Sequence, residues 1–164
     1  YRTFRHDLNS ADFGIPQLRK RIFVVSLRPE HVAAYTGPKA TTPNRWLTVG
    51  EVLADLPDAG DETLSNHSAS GERAENRRRI AFVGMGSGRL AIPEDLQLEC
   101  HRKYGGHLDV YGRLDWFGFA RTVTGGFDSF TRGEYGHPYR HRSVTAREAA
   151  ALQGFPEDFS FVGN

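Results

Sequence analysis

The run Gly14-Ile15-Pro16-Gln17-Leu18-Arg19-Lys20-Arg21, leading directly into Ile22-Phe23-Val24-Val25-Ser26-Leu27, constrains the fold more than any other stretch of the chain. Its apolar, β-branched second half predicts a buried strand. Side chains alternate across an extended chain, so Gln17, Arg19 and Arg21 are expected on one face, with Leu18, Lys20 and Ile22 on the other. Gly14 and Pro16 fix the entry. Two guanidiniums and an amide on a stiff strand suit the gripping of phosphate or a base carbonyl. A solvated strand end carrying a pair of arginines is the alternative that spacing alone leaves open.

With 164 residues, 38% apolar and 25% charged, the chain has the composition of one globular domain with a real core. The formal charge of +1 hides a separation along the sequence. Between positions 51 and 75 the acids Glu51, Asp55, Asp58, Asp61, Glu62, Glu72 and Glu75 face only Arg73. From position 102 to 147 the balance reverses, with Arg102, Lys103, Arg113, Arg121, Arg132, Arg140, Arg142 and Arg147 against Asp109, Asp115, Asp128 and Glu134. A basic stretch interleaved with Tyr, Trp, Phe and Gly fits a nucleic-acid surface, and equally an ordinary solvated face. The single Cys100 excludes internal disulfides and any multi-cysteine zinc site. No apolar run approaches the roughly 20 residues that span a bilayer. The opening Tyr1-Arg2-Thr3-Phe4-Arg5-His6 lacks the apolar region of a signal peptide, and it starts abruptly, without methionine. The expected setting is cytoplasmic, with no membrane partner.

Local signals mark the elements. Thr48-Val49-Gly50-Glu51 is a capping box and predicts a helix over about 49–56, stopped by Pro57. The polar, aperiodic stretch 58–79 reads as a mobile surface loop, with Arg77, Arg78 and Arg79 solvated. Ile80-Ala81-Phe82-Val83 predicts a short strand. The Gly-x-Gly-x-Gly pattern at 84–88 is followed closely by Pro93 and has no βαβ unit around it, so a dinucleotide site is rejected. Pro93-Glu94-Asp95 opens a helix reaching about Tyr104, with Leu96 and Cys100 turned inward. From Tyr111 the texture becomes aromatic, Gly and Thr. Such backbone either brings amides, Thr hydroxyls and Arg forks close to a ligand or forms a β-rich packing module. His137 and His141 are four apart, but Pro138 argues against a helical metal pair. Thr145-Ala146-Arg147-Glu148 is a second capping box, opening a helix that Gly154 and Pro156 end. Ala149 and Leu152 are expected inside, with Phe155, Phe159 and Phe161 as anchoring bulk.

Taken together these segments resemble the C-terminal part of a DNA (cytosine-5)-methyltransferase, over nearly the whole chain. Gln17, Arg19 and Arg21 resemble the family's Gln-x-Arg-x-Arg segment. Arg113-Leu114-x-Trp116 followed by Thr122-Val123-Thr124 resembles the constant part of its target-recognition domain. Residues 142–161 resemble the late motif Arg-x-Leu-Thr-x-Arg-Glu with Gln-x-Phe-Pro downstream. The resemblance implies a mixed α+β fold in three parts. Residues 1–27 would be the edge of an α/β methyltransferase sheet, 28–141 an irregular, strand-rich target-recognition domain, and 142–164 a short helix segment docking that domain to the catalytic one.

In such enzymes a cytosine is flipped from the duplex, a cysteine thiolate adds to carbon 6, and carbon 5 takes a methyl group from S-adenosylmethionine. The resemblance gives Arg21 the cytosine carbonyl oxygen, Arg19 a backbone phosphate and the closed catalytic loop, and Gln17 a supporting place. It puts Arg113, Arg121, Thr122 and Thr124 on DNA, and makes Arg142, Arg147 and Glu148 docking residues. The Pro-Cys nucleophile pair, the Glu-Asn-Val triplet, the Gly-rich cofactor loop and the terminal Gly-Asn-Ala-Val segment do not occur, the last because the sequence stops at Gly163-Asn164. Phe119-Ala120-Arg121 replaces a proline-containing approach to the Thr pair. The expectation is therefore the recognition half of a bacterial, nucleoid-associated enzyme: a cut piece, a proteolytic product or a split subunit. Its partners would be duplex DNA and a missing N-terminal catalytic half. S-adenosylmethionine would be the cofactor of the complete enzyme, and neither cofactor nor metal would be bound by this part alone. A non-catalytic DNA-binding module and part of an RNA cytosine methyltransferase are the alternative readings.

Overall fold

The structure is a computed structural model that describes residues 1–162; the expectation resting on Gly163-Asn164 lies outside the described residues. Strand β1 (Arg2–Asn9) pairs antiparallel with β2 (Lys20–Leu27), Arg2 opposite Leu27 and Asn9 opposite Lys20. The N-terminal residues thus supply the partner of the strand expected from sequence. Phe4, His6 and Leu8 alternate with Thr3, Arg5 and Asp7, a period-two pattern that suits a strand with one half-covered face. A single 3-10 turn at Ser10–Phe13 closes on Gly14, whose φ of 79° lies in the left-handed region that favours glycine.

The expectation of a buried strand is corrected. Ile22, Phe23 and Val24 are 59%, 51% and 65% exposed. An apolar run predicts pairing, but burial needs a second layer, and among the described residues the sheet has two strands. Tyr35 offers partial cover, its ring 5.0 Å from that of Phe4 and its hydroxyl 2.9 Å from His6 Nε2.

The remaining elements are short: α1 (Pro29–Val32), α2 (Val49–Leu53), α3 (Ala74–Ile80), α4 (Glu99–Lys103) and α5 (Ala146–Ala151). Both capping boxes form as expected, at Thr48 with Glu51 and at Thr145 with Glu148. Four expectations fail. The stretch 58–79, read as a loop, contains most of α3, and Ile80 ends that helix instead of opening a strand. Glu75 in its first turn and Arg77, Arg78 and Arg79 in its last are matched to the helix dipole. The helix expected from Pro93 breaks at Gln97 into a 3-10 turn and α4, which leaves Cys100 exposed. Where a strand-rich domain is expected over 28–141, no strand is found among the described residues, and the bridges there are isolated, Arg113 with Gly136 and Gly136 with Ser143 just beyond it.

Two apolar clusters make the core. One joins Val49 and Leu53 of α2 to Leu114, Ala120, Tyr135 and Val144, with Ala149 and Leu152 from the α5 end of the chain. The other gathers Ile80, Val83, Ile92, Tyr111 and Phe130. Val144, Ala149 and Leu152 thus pack into the same core as α2, the inward side of α5 being filled by α2 and the 114–144 segment.

Irregular backbone leaves carbonyls without ladder partners, and three buried arginines meet that need. Arg113 is 3% exposed and donates to the carbonyls of Val83 (2.7 Å), Ile80 (2.8 Å), His137 (2.5 Å) and Arg140 (2.7 Å). Arg147 gathers Ser65 O at 3.2 Å, Pro156 O at 3.1 Å and Phe159 O. Arg89 holds Tyr104 O and Gly106 O at 2.8 and 2.5 Å. Each fork does for loops what a strand partner does for a strand.

Candidate functional site

The run 14–21 forms the junction between the hairpin and the rest of the chain. Gln17 bridges Ala120: Leu18 N donates to Ala120 O at 3.1 Å, and Ala120 N donates to Pro16 O at 2.8 Å. Of the three side chains expected on one face, Gln17 is buried while Arg19 and Arg21 line a common cleft. Two tight turns, Gln17 N to Ile15 O (2.7 Å) and Arg19 N to Gln17 O (3.0 Å), interrupt the extension before β2 begins. Gln17 is consequently buried, and its Nε2 has no hydrogen-bond partner among the described residues. Arg19 is half-buried and Arg21 is exposed. The backbone of Arg19 is fixed on both sides, its N–H donating to Asn9 Oδ1 (3.1 Å) and its carbonyl accepting from Ser10 N (3.0 Å).

Arg19 and Arg21 line one small cleft of about 320 Å³ with Leu8, Phe13, Ile15 and Phe23. Arg21 also borders a larger one, about 840 Å³, with Asp7, Asp12, Lys20, Ile22 and Trp46. Trp46 was not singled out from sequence. Its indole N–H donates to Asp12 Oδ1 at 2.8 Å and its ring packs edge-on to Phe119 at 5.4 Å. A tie spanning 34 positions leaves no local signal.

The bridge at Ala120 leads straight into Arg121, Thr122 and Thr124. Thr122 is half-buried, while Thr124 is exposed, with Oγ1 2.6 Å from the Tyr135 hydroxyl and its N–H donating to the same oxygen at 3.2 Å. Arg121 is exposed and paired through Nε with Glu134 Oε2 at 3.1 Å. Burial pushes the Glu134 carboxyl above the usual range, an effect that Arg121 opposes and Asp109 and Asp115 reinforce. Arg113, expected on DNA, is placed elsewhere: it lies under the surface with its donors turned to carbonyls, and burial lowers its pKa. The structure thus brings Gln17 beside the 120–124 segment and withdraws Arg113 from it.

The late motif forms a dense polar knot. Arg142 grips Glu148 with both nitrogens, at 2.7 and 2.6 Å, while Glu148 accepts from Thr145 N at 2.8 Å. Burial works against the Glu148 carboxylate, yet Arg142 and the Thr145 amide hold its pKa below the usual value. His137, 3.6 Å from Glu148, is driven down to about 4 by burial, with Arg142, Arg140 and Arg113 adding to the effect. Its Nδ1 accepts from the amides of Tyr139 and Arg140. His67, missed in the sequence, contacts Thr145 Oγ1 at 2.9 Å and Pro57 O at 2.7 Å, joining the second capping box to the loop after α2.

The Gly-rich turn at 84–88 lacks the setting of a nucleotide-type cofactor site. A nucleotide-type cofactor site uses a Gly-rich turn between a parallel strand and a helix. The Gly-rich turn at 84–88 is engaged instead with Arg113, Gly86 N to Arg113 O at 3.0 Å and Arg113 N to Ser87 O at 2.9 Å. It borders a cleft holding Asp109 and Glu134. No helix among the described residues is long and apolar enough to cross a membrane.

Comparison with known proteins identifies the setting of this geometry. The chain is 33% identical to the type II methylase M.HgiDII of Herpetosiphon aurantiacus, covering 99% of this chain and 47% of that protein. It is 35% identical to the type II methyltransferase M1.HphI of Haemophilus parahaemolyticus, covering 95% and 39%. The chain therefore spans about half or less of the length of these curated relatives. Its fold is similar to the crystal structure of a DNA modification methyltransferase encoded within an E. coli prophage, with a TM-score of 0.62 and 21% identity over 98% of this chain and 52% of that one. The family model for C-5 cytosine-specific DNA methylase matches residues 1–164, and the chain belongs to that family.

Proposed function

We propose that this chain is the target-recognition half of a DNA cytosine-5 methyltransferase, acting with a catalytic half that supplies the nucleophile and the S-adenosylmethionine site. The single observation carrying this reading is the Gln17–Ala120 bridge. It couples the Arg19–Arg21 cleft rigidly to the segment bearing Arg121, Thr122 and Thr124, so that one body positions both a flipped base and its duplex.

Arg21, exposed at the junction of two clefts, donates to the carbonyl oxygen of the flipped cytosine. Its charge stabilises the anion formed when the thiolate of the other half adds to carbon 6. Arg19, held by its backbone on both sides, meets a phosphate and the closed catalytic loop. Thr122 and Thr124 donate to DNA phosphate. The Arg142–Glu148 pair and the Arg147 clamp keep α5 and the 155–161 segment in the shape that meets the catalytic half. The bound cofactor supplies the methyl group; these residues orient the base and the duplex.

Single-turnover methylation by the full-length polypeptide tests the roles. Arg21→Ala is expected to lower the chemical step by about 10²- to 10³-fold with little change in DNA affinity. Thr122→Ala is expected to weaken binding and leave the chemical step of bound duplex intact. An unchanged single-turnover rate for Arg21→Ala would refute the role of Arg21.

A further inference from the structure

The ion pair between Arg121 and Glu134 has an orientation that general electrostatics leaves unexplained. The nearest approach of Glu134 to the guanidinium is at Nε, 3.1 Å away. Neither Nη nitrogen of Arg121 is hydrogen-bonded among the described residues, and the arginine side chain is 73% exposed while that of Glu134 is 18% exposed. A largely buried carboxylate therefore stands beside the root of the fork, while the arginine side chain stays largely exposed with its two end nitrogens free to donate in parallel.

The surroundings are rigid and shaped for a close approach. A cleft of about 440 Å³ is lined by Gly86, Ser87, Asp109, Gly112, Arg121 and Glu134. Two of its lining residues are tied to Arg113, Gly86 N donating to Arg113 O at 3.0 Å and Arg113 N to Ser87 O at 2.9 Å. Its charge is discriminating. Asp109 and Glu134 outnumber Arg121, and Asp115 stands near enough to act on Glu134. A phosphate is repelled by that balance, whereas the edge of a base pair is neutral and offers acceptors. Two parallel donors match the O6 and N7 acceptors of guanine in the major groove.

We propose that Arg121, positioned by Glu134, reads the guanine of one G·C pair in the major groove of the target duplex, an assignment that rests on the recognition role proposed above. Glu134 acts through Arg121 as a positioning residue: by holding Nε it removes rotamers that Arg121 would otherwise lose on binding.

The test is selection from a library of randomised duplexes by the full-length polypeptide and its Arg121→Gln and Glu134→Gln variants, with sequencing of the bound fraction. Wild-type protein is expected to enrich a motif containing an invariant G·C pair. Arg121→Gln should lose the preference at that one position by about 10- to 100-fold while keeping its other positions. Glu134→Gln should relax the same position more weakly. Two results overturn the assignment and leave the recognition role standing. One is a uniform loss for Arg121→Gln across sequences with a salt slope reduced by about one, the mark of a phosphate contact. The other is an unchanged motif. No duplex binding by the wild-type protein would overturn the recognition role and the assignment together.

Discussion

Replacing Arg113 with methionine separates the two places this residue can have, on DNA or inside the fold. The guanidinium holds four carbonyls at 2.5 to 2.8 Å, from Val83, Ile80, His137 and Arg140, and a further contact of 3.0 Å reaches His141 Nδ1. Hydrogen bonds from a charged donor are worth about 1.5–3 kcal/mol each when removed singly. Four summed naively would reach about 6–12 kcal/mol, as much as the whole stability of many domains, so the sum must be discounted. Deleting the side chain also returns the cost of burying a cation with no carboxylate beside it, several kcal/mol, and water reaches some of the freed carbonyls. The net expectation for Arg113→Met is a loss of ~3 kcal/mol. With a urea dependence of ~2 kcal/mol per molar, the unfolding midpoint falls by ~1.5 M. Equilibrium unfolding followed by the fluorescence of Trp46 and Trp116 measures it. A midpoint within ~0.3 M of wild type, combined with weakened DNA binding, would refute the interior role and return Arg113 to the DNA surface.

Further outcomes follow from other parts of the structure. His137 is about 4 in the fold against 6.5 in the unfolded chain, so its contribution to stability is complete above pH 6.5 and is lost as pH falls toward 4. The loss should reach roughly 2 kcal/mol by pH 5, and His137→Asn should flatten that part of the pH–stability curve. A Cβ at Gly50 would overlap the Trp116 indole, so Gly50→Ala should cost ~1–3 kcal/mol in urea unfolding despite alanine's better helix propensity. Gln17→Leu should change the stability of the chain by less than ~1 kcal/mol, because its buried Nε2 gives up no hydrogen bond, yet slow methylation by the full-length polypeptide. Thr145→Ala removes both a cap and the contact to His67 and should cost ~1–2 kcal/mol, read from thermal unfolding.

What was legible in the sequence was local. Thr48 with Glu51, and Thr145 with Glu148, announce their helices because each pair completes its bonds within three residues. The run 22–27 announced a strand, but an apolar run does not say what covers it, and here among the described residues little does. Helix α3 was obscured by its polarity, although Glu75 at its start and three arginines at its end were available as signals. The buried arginines were illegible for a different reason. Charge reads as surface, and the carbonyls that Arg113 and Arg147 collect lie up to 33 and 82 residues away. Gln17, Arg19 and Arg21 were found by spacing, but their different burial depends on turns between Ile15 and Arg19 that spacing does not encode.

The most direct test of the central claim is transfer of labelled methyl groups from S-adenosylmethionine to duplex DNA. It is measured for this chain alone, for a polypeptide supplying the other half of its relatives' length, and for the mixture, with structured RNA as competitor. Transfer is expected only in the mixture, confined to cytosine carbon 5 and indifferent to the RNA. Transfer by this chain alone, or transfer directed to the RNA, would contradict the claim.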